Sequence, residues 1–127
     1  MQNQPSLASL AGYRYLSLTT FRRTGKAVAT PVWFAGDDHQ IFVWTNAGSG
    51  KVKRLKNNRA VTLAGCTYNG RVIGPELAAQ ADILAPASPE GEVAERQLRA
   101  KYGWQWLLGR FFSRTFRRRS VFLKIRT

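Results

Sequence analysis

The chain predicts a mainly β fold, a small barrel of six antiparallel strands with short helices, and three observations lead there. Segments of alternating apolar and polar residues recur between turn-forming clusters, and two stretches carry helix-start signals. Of the 127 residues, 44% are hydrophobic, enough for one compact core. A single domain over residues 1–127 is expected.

Taken in order, Tyr13 to Phe21 alternates and is rich in Thr and aromatic residues. Arg22-Arg23-Thr24-Gly25-Lys26 turns the chain, and Ala27 to Ala35 alternates again to complete a hairpin. In this second strand Val28, Thr30, Val32 and Phe34 share one face, with Ala29, Pro31 and Trp33 on the other. Pro31 has no N–H for a ladder, which places the strand at an edge or a bulge where its backbone is open to approach. After the Gly36–Gln40 turn, Ile41 to Thr45 adds a third strand. Asn46 to Gly50 breaks it, and Val52 and Leu55, three apart among basic residues, give a short helix over 51–58 with Ser49 as its N-cap. Ala60 to Thr67 reads as the fourth strand, Tyr68-Asn69-Gly70 as a hairpin turn, and Arg71 to Leu84 as a fifth strand interrupted at Gly74-Pro75.

Ser88-Pro89 opens a helix over 89–102, with Glu90, Glu92 and Glu95 early and Arg96, Arg99 and Lys101 late, as the helix dipole prefers. Gly103 ends or bends it. Trp104, Leu107, Leu108, Phe111 and Phe112 outline a second apolar helical stripe, and Val121 to Ile125 is the closing strand.

Composition narrows the function. Lys and Arg number 20 against 7 Asp and Glu, a net charge of +13. Such a field attracts an anion; nucleic acid, acidic phospholipid and a multiply charged phosphorylated cofactor all qualify on composition alone. Cys66 is the only cysteine and His39 the only histidine, which excludes an intramolecular disulfide and a Cys/His zinc cage, so no metal is expected. A Ser-His-Asp or Cys-His hydrolase would depend on His39, which lies in a turn-forming stretch, and no catalytic side chain is assigned. The apolar stretch from Trp104 to Phe112 is too short for a bilayer span, and MQNQPSLASL lacks the basic region of a signal peptide. No membrane partner and a cytoplasmic location are expected.

The segment from Thr45 to Arg54 puts small residues and a hydroxyl at a helix N-terminus, where free N–H groups and the positive dipole end favour an oxyanion. It is not a nucleotide-hydrolysing phosphate loop: Thr45 stands where the first Gly belongs and Val52 where Ser or Thr would ligate magnesium. Two readings stand at this point, a capped helix with a solvated basic face and a phosphate site. Trp33 and Trp44, on neighbouring strands, either flank a flat ligand or, the commoner use, pack beneath the terminal helices. Arg114, Arg117, Arg118 and Arg119 form a basic cluster that suits a solvated face, an acidic cofactor tail or a phosphate backbone. Cys66, within a strand, reads as a small buried apolar residue.

Tyr15 to Arg23, Gly25 with Ala29-Thr30-Pro31-Val32-Trp33-Phe34, Val43-Trp44-Thr45 with Ser49-Gly50-Lys51-Val52-Lys53-Arg54-Leu55, then Cys66, Gly70-Arg71, Gly74-Pro75 and Lys101-Tyr102-Gly103-Trp104-Gln105 resemble the pyridoxamine-phosphate-oxidase-like split-barrel family. The branch most similar is that of the PPOX-class flavin/deazaflavin oxidoreductases, and ATPVWF and SGKVKRL are the most specific parts of the likeness. The resemblance implies a six-stranded antiparallel split β-barrel, an FMN-binding fold, that forms a homodimer with cofactor sites in grooves shared by the subunits. It implies FMN or coenzyme F420 as the cofactor, with Ser49, Gly50 and Lys51 at its phosphate and Lys53 and Arg54 nearby. Thr30, Pro31, Val32 and Trp33 would then run along the ring, and Thr45 would help at the phosphate end.

Hydride chemistry belongs to such a cofactor, so a chain without an acid-base or nucleophile constellation suits this class. FMN ends at its phosphate, whereas coenzyme F420 continues through lactate into several glutamates; a +13 chain fits the longer anion better. The expected function is an F420- or FMN-dependent oxidoreductase acting on a small-molecule acceptor. The alternatives are a nucleic-acid-binding barrel, disfavoured by the lack of an exposed aromatic-basic motif, and a flavin or deazaflavin carrier without turnover.

Overall fold

The structure is a computed structural model that describes residues 6–103, 105 and 120–127. Its elements are a 3-10 turn at Leu7–Leu10, β1 (Tyr15–Phe21), β2 (Ala27–Gly36), β3 (Ile41–Asn46), α1 (Gly50–Asn57), β4 (Ala60–Cys66), β5 (Leu77–Leu84), α2 (Pro89–Tyr102) and β6 (Ser120–Arg126). The strands close into a barrel in the order β1-β2-β3-β6-β5-β4, and every pairing is antiparallel.

Alternation sorts the side chains. Leu16, Leu18, Val32, Phe34, Ile41, Val43, Leu63, Leu123 and Ile125 fill the barrel, and Leu55 of α1 joins them. Outside it, α2 lays Ala94, Leu98 and Tyr102 on Ala35, Phe42 and Phe122, with Trp33 and Trp44 partly buried at the margin. Each fully buried Leu or Phe stabilises by roughly 1.5–3 kcal/mol.

The expected helices begin where their caps predict. Ser49 Oγ accepts from the Val52 N–H, and Ser88 Oγ from the Gly91 N–H, with Pro89 in the first turn. Gly103 ends α2 at φ 57°, a positive-φ conformation that glycine adopts without strain. His39 is exposed in a turn tied by Asp37 Oδ1, which accepts from the His39 and Gln40 N–H groups.

Two expectations need correction. The first strand starts at Tyr15, because the Tyr13 ring is used to cover the backbone of Gly65 and Gly74: a Cβ on Gly65 would lie 2.4 Å from Tyr13 Cγ. The fifth strand starts at Leu77, because residues 71–76 leave the ladder around that ring, keeping a Cys66–Val72 bridge, bonds between Thr67 and Arg71, and a bond from the Ile73 N–H to the Gly65 carbonyl. The expected helical stripe from Trp104 to Phe112 and the cluster Arg114 to Arg119 lie outside the described residues, Gln105 excepted.

The β2–β3 pairing is unusually short. β1 pairs with β2 from Phe21–Ala27 through Tyr15–Trp33, but β2 pairs with β3 only from Gly36–Ile41 to Phe34–Val43. Pro31 thus has a ladder partner, Ser17, on one side only, as a residue without an N–H requires.

Candidate functional site

Continuing the β2–β3 register past Phe34–Val43 would bring Trp33 opposite Trp44, Val32 opposite Thr45 and Pro31 opposite Asn46. Those pairs do not form. The six residues instead form the walls of a cleft of about 250 Å³ that Ser49 and Lys51 close at the α1 end. A ladder that opens after three pairs leaves two strand edges facing a gap, and main-chain groups facing a gap need partners from outside the ladder.

Tyr102 fixes one wall. Its ring stacks on Trp33 with centroids 4.5 Å apart and planes 17° apart, and Trp33 lies 6.2 Å from Trp44 at a tilt of 51°. The Tyr102 hydroxyl sits where the β1–β2 ladder would have its next pair, Arg14 with Phe34. It accepts from the Phe34 N–H at 2.9 Å and reaches the carbonyls of Arg14 at 2.8 Å and Phe34 at 3.1 Å. A side chain thus takes over from the ladder, and α2 is stitched to β2 directly behind the cleft wall.

The other end of the cleft is polar. Thr45 Oγ1 and Ser49 Oγ lie 3.4 Å apart, and Ser49 caps α1. Lys51 is half-buried, and its ammonium is held below the ordinary lysine value by loss of solvation and then by the charge of Arg54. Among the described residues no carboxylate pairs with it: the ion pairs there join Arg59 and Arg126 to Asp82, Arg99 to Glu95 and Lys124 to Glu90. A desolvated cation without a counter-charge is costly, and an anion placed beside it lowers that cost.

On the other side of the first turn of α1 lies a second cleft, of about 340 Å³, lined by Phe21, Arg22, Arg23, Gly50, Lys53, Arg54 and Asn57. Arg54 folds back over the helix start, where its Nε donates to Thr20 Oγ1 at 2.6 Å. Gly50 makes this fit possible, since a Cβ there would stand 2.7 Å from Arg54 Nη1. Arg23 Nη2 donates to Asn57 Oδ1 at 3.3 Å.

The expected site residues therefore divide. Pro31, Val32, Trp33, Thr45, Ser49 and Lys51 meet in the first cleft, and Gly50, Lys53 and Arg54 line the second. Thr30 lines neither. It pairs with Leu18 and shares the interior face of β2 with Val32 and Phe34, where its Oγ1 is buried with no hydrogen-bond partner among the described residues. Sequence reasoning missed Tyr102 as the support of the wall and Thr20 as the anchor of Arg54, both long-range contacts that no local pattern signals. Arg22 and Arg23 read as turn residues within the resemblance, with no binding role assigned, although their charge was visible.

Next to Tyr102 on α2, Lys101 packs its ammonium 3.3 Å from the centre of the Phe34 ring and donates to the Tyr13 carbonyl at 3.1 Å. Burial first, and the charge of Arg14 second, bring its pKa down from 10.5 to about 8, although the Phe34 ring face favours the charged form. Burial pushes the Tyr102 phenol up from 10.0 to about 12. The two act in opposite directions. From about pH 8 to 10.5 the unfolded chain holds a proton that folded Lys101 has released, so this group raises stability as pH rises. From pH 10.0 to about 12 folded Tyr102 keeps a proton that the unfolded chain has lost, so its contribution falls as pH rises. In urea melts, the stability difference between wild type and Lys101→Met is expected to climb across the first window. The difference between wild type and Tyr102→Phe is expected to shrink across the second. A flat profile in either case would contradict the assignment for that residue.

The profile of the pyridoxamine 5'-phosphate oxidase family matches residues 7–125. The chain belongs to that family. No curated protein matches it significantly. Among solved structures, a conserved hypothetical protein from Mycobacterium tuberculosis is 21% identical with a TM-score of 0.65, over 95% of this chain and 79% of the other. The heme storage protein HutZ from Vibrio cholerae is 12% identical with a TM-score of 0.69, over 91% and 82%. An F420 reductase is 20% identical with a TM-score of 0.60, over 97% and 94%. At these identities the likeness shows a shared fold. Among the described residues of this family member, no group of three or more His, Cys, Asp and Glu could hold a metal ion, and no helix is long and apolar enough to cross a membrane.

Proposed function

We propose that this member of the pyridoxamine 5'-phosphate oxidase family is an oxidoreductase that binds coenzyme F420 or FMN between β2 and β3 and works on a small-molecule acceptor. The observation that carries the reading is the opened ladder. Three would-be strand pairs become the walls of a slot with two indoles along it and, at its end, a hydroxyl pair and a lysine without a carboxylate partner among the described residues. A flat ring bearing a phosphate has the matching chemistry.

When bound, the cofactor supplies the hydride chemistry. The chain binds and orients: Trp33 and Trp44 limit the tilt of the ring, the free edges of β2 and β3 offer main-chain hydrogen bonds, and Thr45, Ser49 and Lys51 take the phosphate. Thr30, half-buried with its Oγ1 enclosed on the interior face, supports β2 from behind rather than touching the ring.

At about 250 Å³ the cleft falls below the roughly 300–1,000 Å³ typical of sites that enclose a ligand of this size. A second copy of the chain is the proposed completing wall. Val72 and Ile73, 50% and 52% exposed, and Tyr68, 76% exposed, offer it an apolar surface. The loop that carries them passes beside Pro31, since a Cβ on Gly70 would lie 3.6 Å from the proline ring.

A nucleic-acid-binding barrel is less well supported: Trp33 and Trp44 pack on each other and on Tyr102 and do not form an open stacking platform. Carriage without turnover uses the same site, and an acceptor screen with reduced cofactor separates it from catalysis. Fluorescence titration of the folded protein with FMN and with coenzyme F420 is expected to give a dissociation constant in the micromolar range for at least one. Binding of neither at tens of micromolar would overturn the reading.

A further inference from the structure

A third cavity, of about 260 Å³, shares no lining residue with either cleft. It lies where the N-terminal 3-10 turn, the β2–β3 hairpin and the last turn of α2 meet, among Ala8, Ala11, Phe34, Ile41 and Lys101. Leu7 and Leu10, each 2% exposed, pin the N-terminal turn to the barrel core and so fix that wall. Lys101 is the one cation in the lining, and the Phe34 ring and the Tyr13 carbonyl hold its nitrogen in place. Asp37 and Asp38 line the hairpin end and are exposed. Among the described residues no ion pair joins either to Lys101, and Asp37 Oδ1 is taken up by the His39 and Gln40 N–H groups. The remaining charged and titratable neighbours are Arg14 and Tyr102: the Tyr102 ring centre lies 4.9 Å from the Arg14 guanidinium and 5.5 Å from Lys101 Nζ. With a cation nearby and no counter-charge in contact, this half-buried site favours the uncharged amine.

We propose that this cavity captures small uncharged aldehydes, with Lys101 Nζ as the nucleophile that joins them as an imine. A lysine that sheds its charge against an apolar wall is a nucleophile toward carbonyl groups. At pH 8 about half of Lys101 is uncharged, against under about 1% of a solvated lysine. The amine adds its electron pair to the carbonyl carbon. The carbonyl oxygen then leaves as water with the two hydrogens of the nitrogen, and a C=N bond remains; no electrons are gained or lost overall. The volume falls below the roughly 300–1,000 Å³ of sites for drug-sized ligands, which suits a short aliphatic chain. Apart from the lysine, the charged residues of the lining are the two aspartates, so an anionic aldehyde meets like charge at the hairpin end. The site stands apart from the ring cleft and does not depend on what that cleft binds.

The test treats the folded protein near neutral pH with acetaldehyde, hexanal or glyoxylate and sodium cyanoborohydride, which reduces an imine to a stable amine, and locates the labelled lysines by peptide mass spectrometry. Lys101 is expected to take up hexanal about tenfold faster than the exposed Lys26 and Lys56, with a rate that saturates as the aldehyde is raised. Its lead is expected to grow from acetaldehyde to hexanal. No such growth is expected at Lys51, which is also half-buried but lies outside this cavity, so loss of solvation alone is told apart from a site. Ala11→Phe and Ala8→Phe each add a ring at an exposed lining position and are expected to bring Lys101 within about twofold of Lys26 with hexanal, at an unchanged melting temperature. Equal labelling of Lys101 and Lys26 in the wild type would overturn the proposal, as would a lead that is the same for acetaldehyde and hexanal. Either variant, folded and labelled at the wild-type rate, would also overturn it. A greater lead with glyoxylate than with hexanal would overturn the choice of an uncharged ligand.

Discussion

Lys51→Ala is expected to weaken binding of a phosphate-bearing flavin or deazaflavin by about ten- to a hundredfold, the range for a charge-assisted hydrogen bond in a partly desolvated site. Riboflavin, which has no phosphate, serves as the control and should bind wild type and variant alike. Stability should hold or rise slightly, because Lys51 has no carboxylate partner among the described residues and its partial burial disfavours its charge. Titration and a thermal melt on the same preparation check both halves. An unchanged phosphate affinity would remove the phosphate from the α1 end of the cleft; an equal loss with riboflavin would mean that the lysine acts on the ring or on the fold.

Tyr102→Phe is expected to cost stability while sparing the cleft. The variant keeps the ring that stacks on Trp33 but loses the hydroxyl, leaving the buried Phe34 N–H and the Arg14 carbonyl without their partner. Unsatisfied buried groups cost about 1–3 kcal/mol each, so roughly 2–4 kcal/mol is expected in urea melts, or a fall in melting temperature on the order of 10 °C. Cofactor affinity measured well below the transition should change little. Tyr102→Ala, which removes the ring as well, should lose both stability and affinity, and that contrast separates support of the wall from general destabilisation.

Local chemistry made much of the fold legible. Ser88-Pro89 and the acidic-then-basic run placed α2 at Pro89–Tyr102, and Ser49 ahead of Val52 and Leu55 placed α1 to within a residue. Pro31 announced a strand with one free side. What stayed hidden depends on register. Nothing local says that Trp33 faces Trp44 across an unformed pair, because that follows from where the ladder stops. Residues 71–76 looked like strand by composition, yet the Tyr13 ring occupies the space their ladder would need. Thr30 lies outside both clefts. The motif puts it beside Pro31, but the alternation of the strand turns its side chain inward. Charge was countable from the outset, whereas its focus between the β1–β2 turn and α1 appeared only with the fold.

An open strand edge is normally an invitation to aggregate, since any passing extended peptide can add itself to the sheet. The slot between β2 and β3 avoids that hazard with one residue. Pro31 denies an incoming strand a donor, and a rigid planar guest that needs only a few main-chain contacts is not excluded by it. The imino acid beside that gap thus also guards the barrel against polymerising with its neighbours.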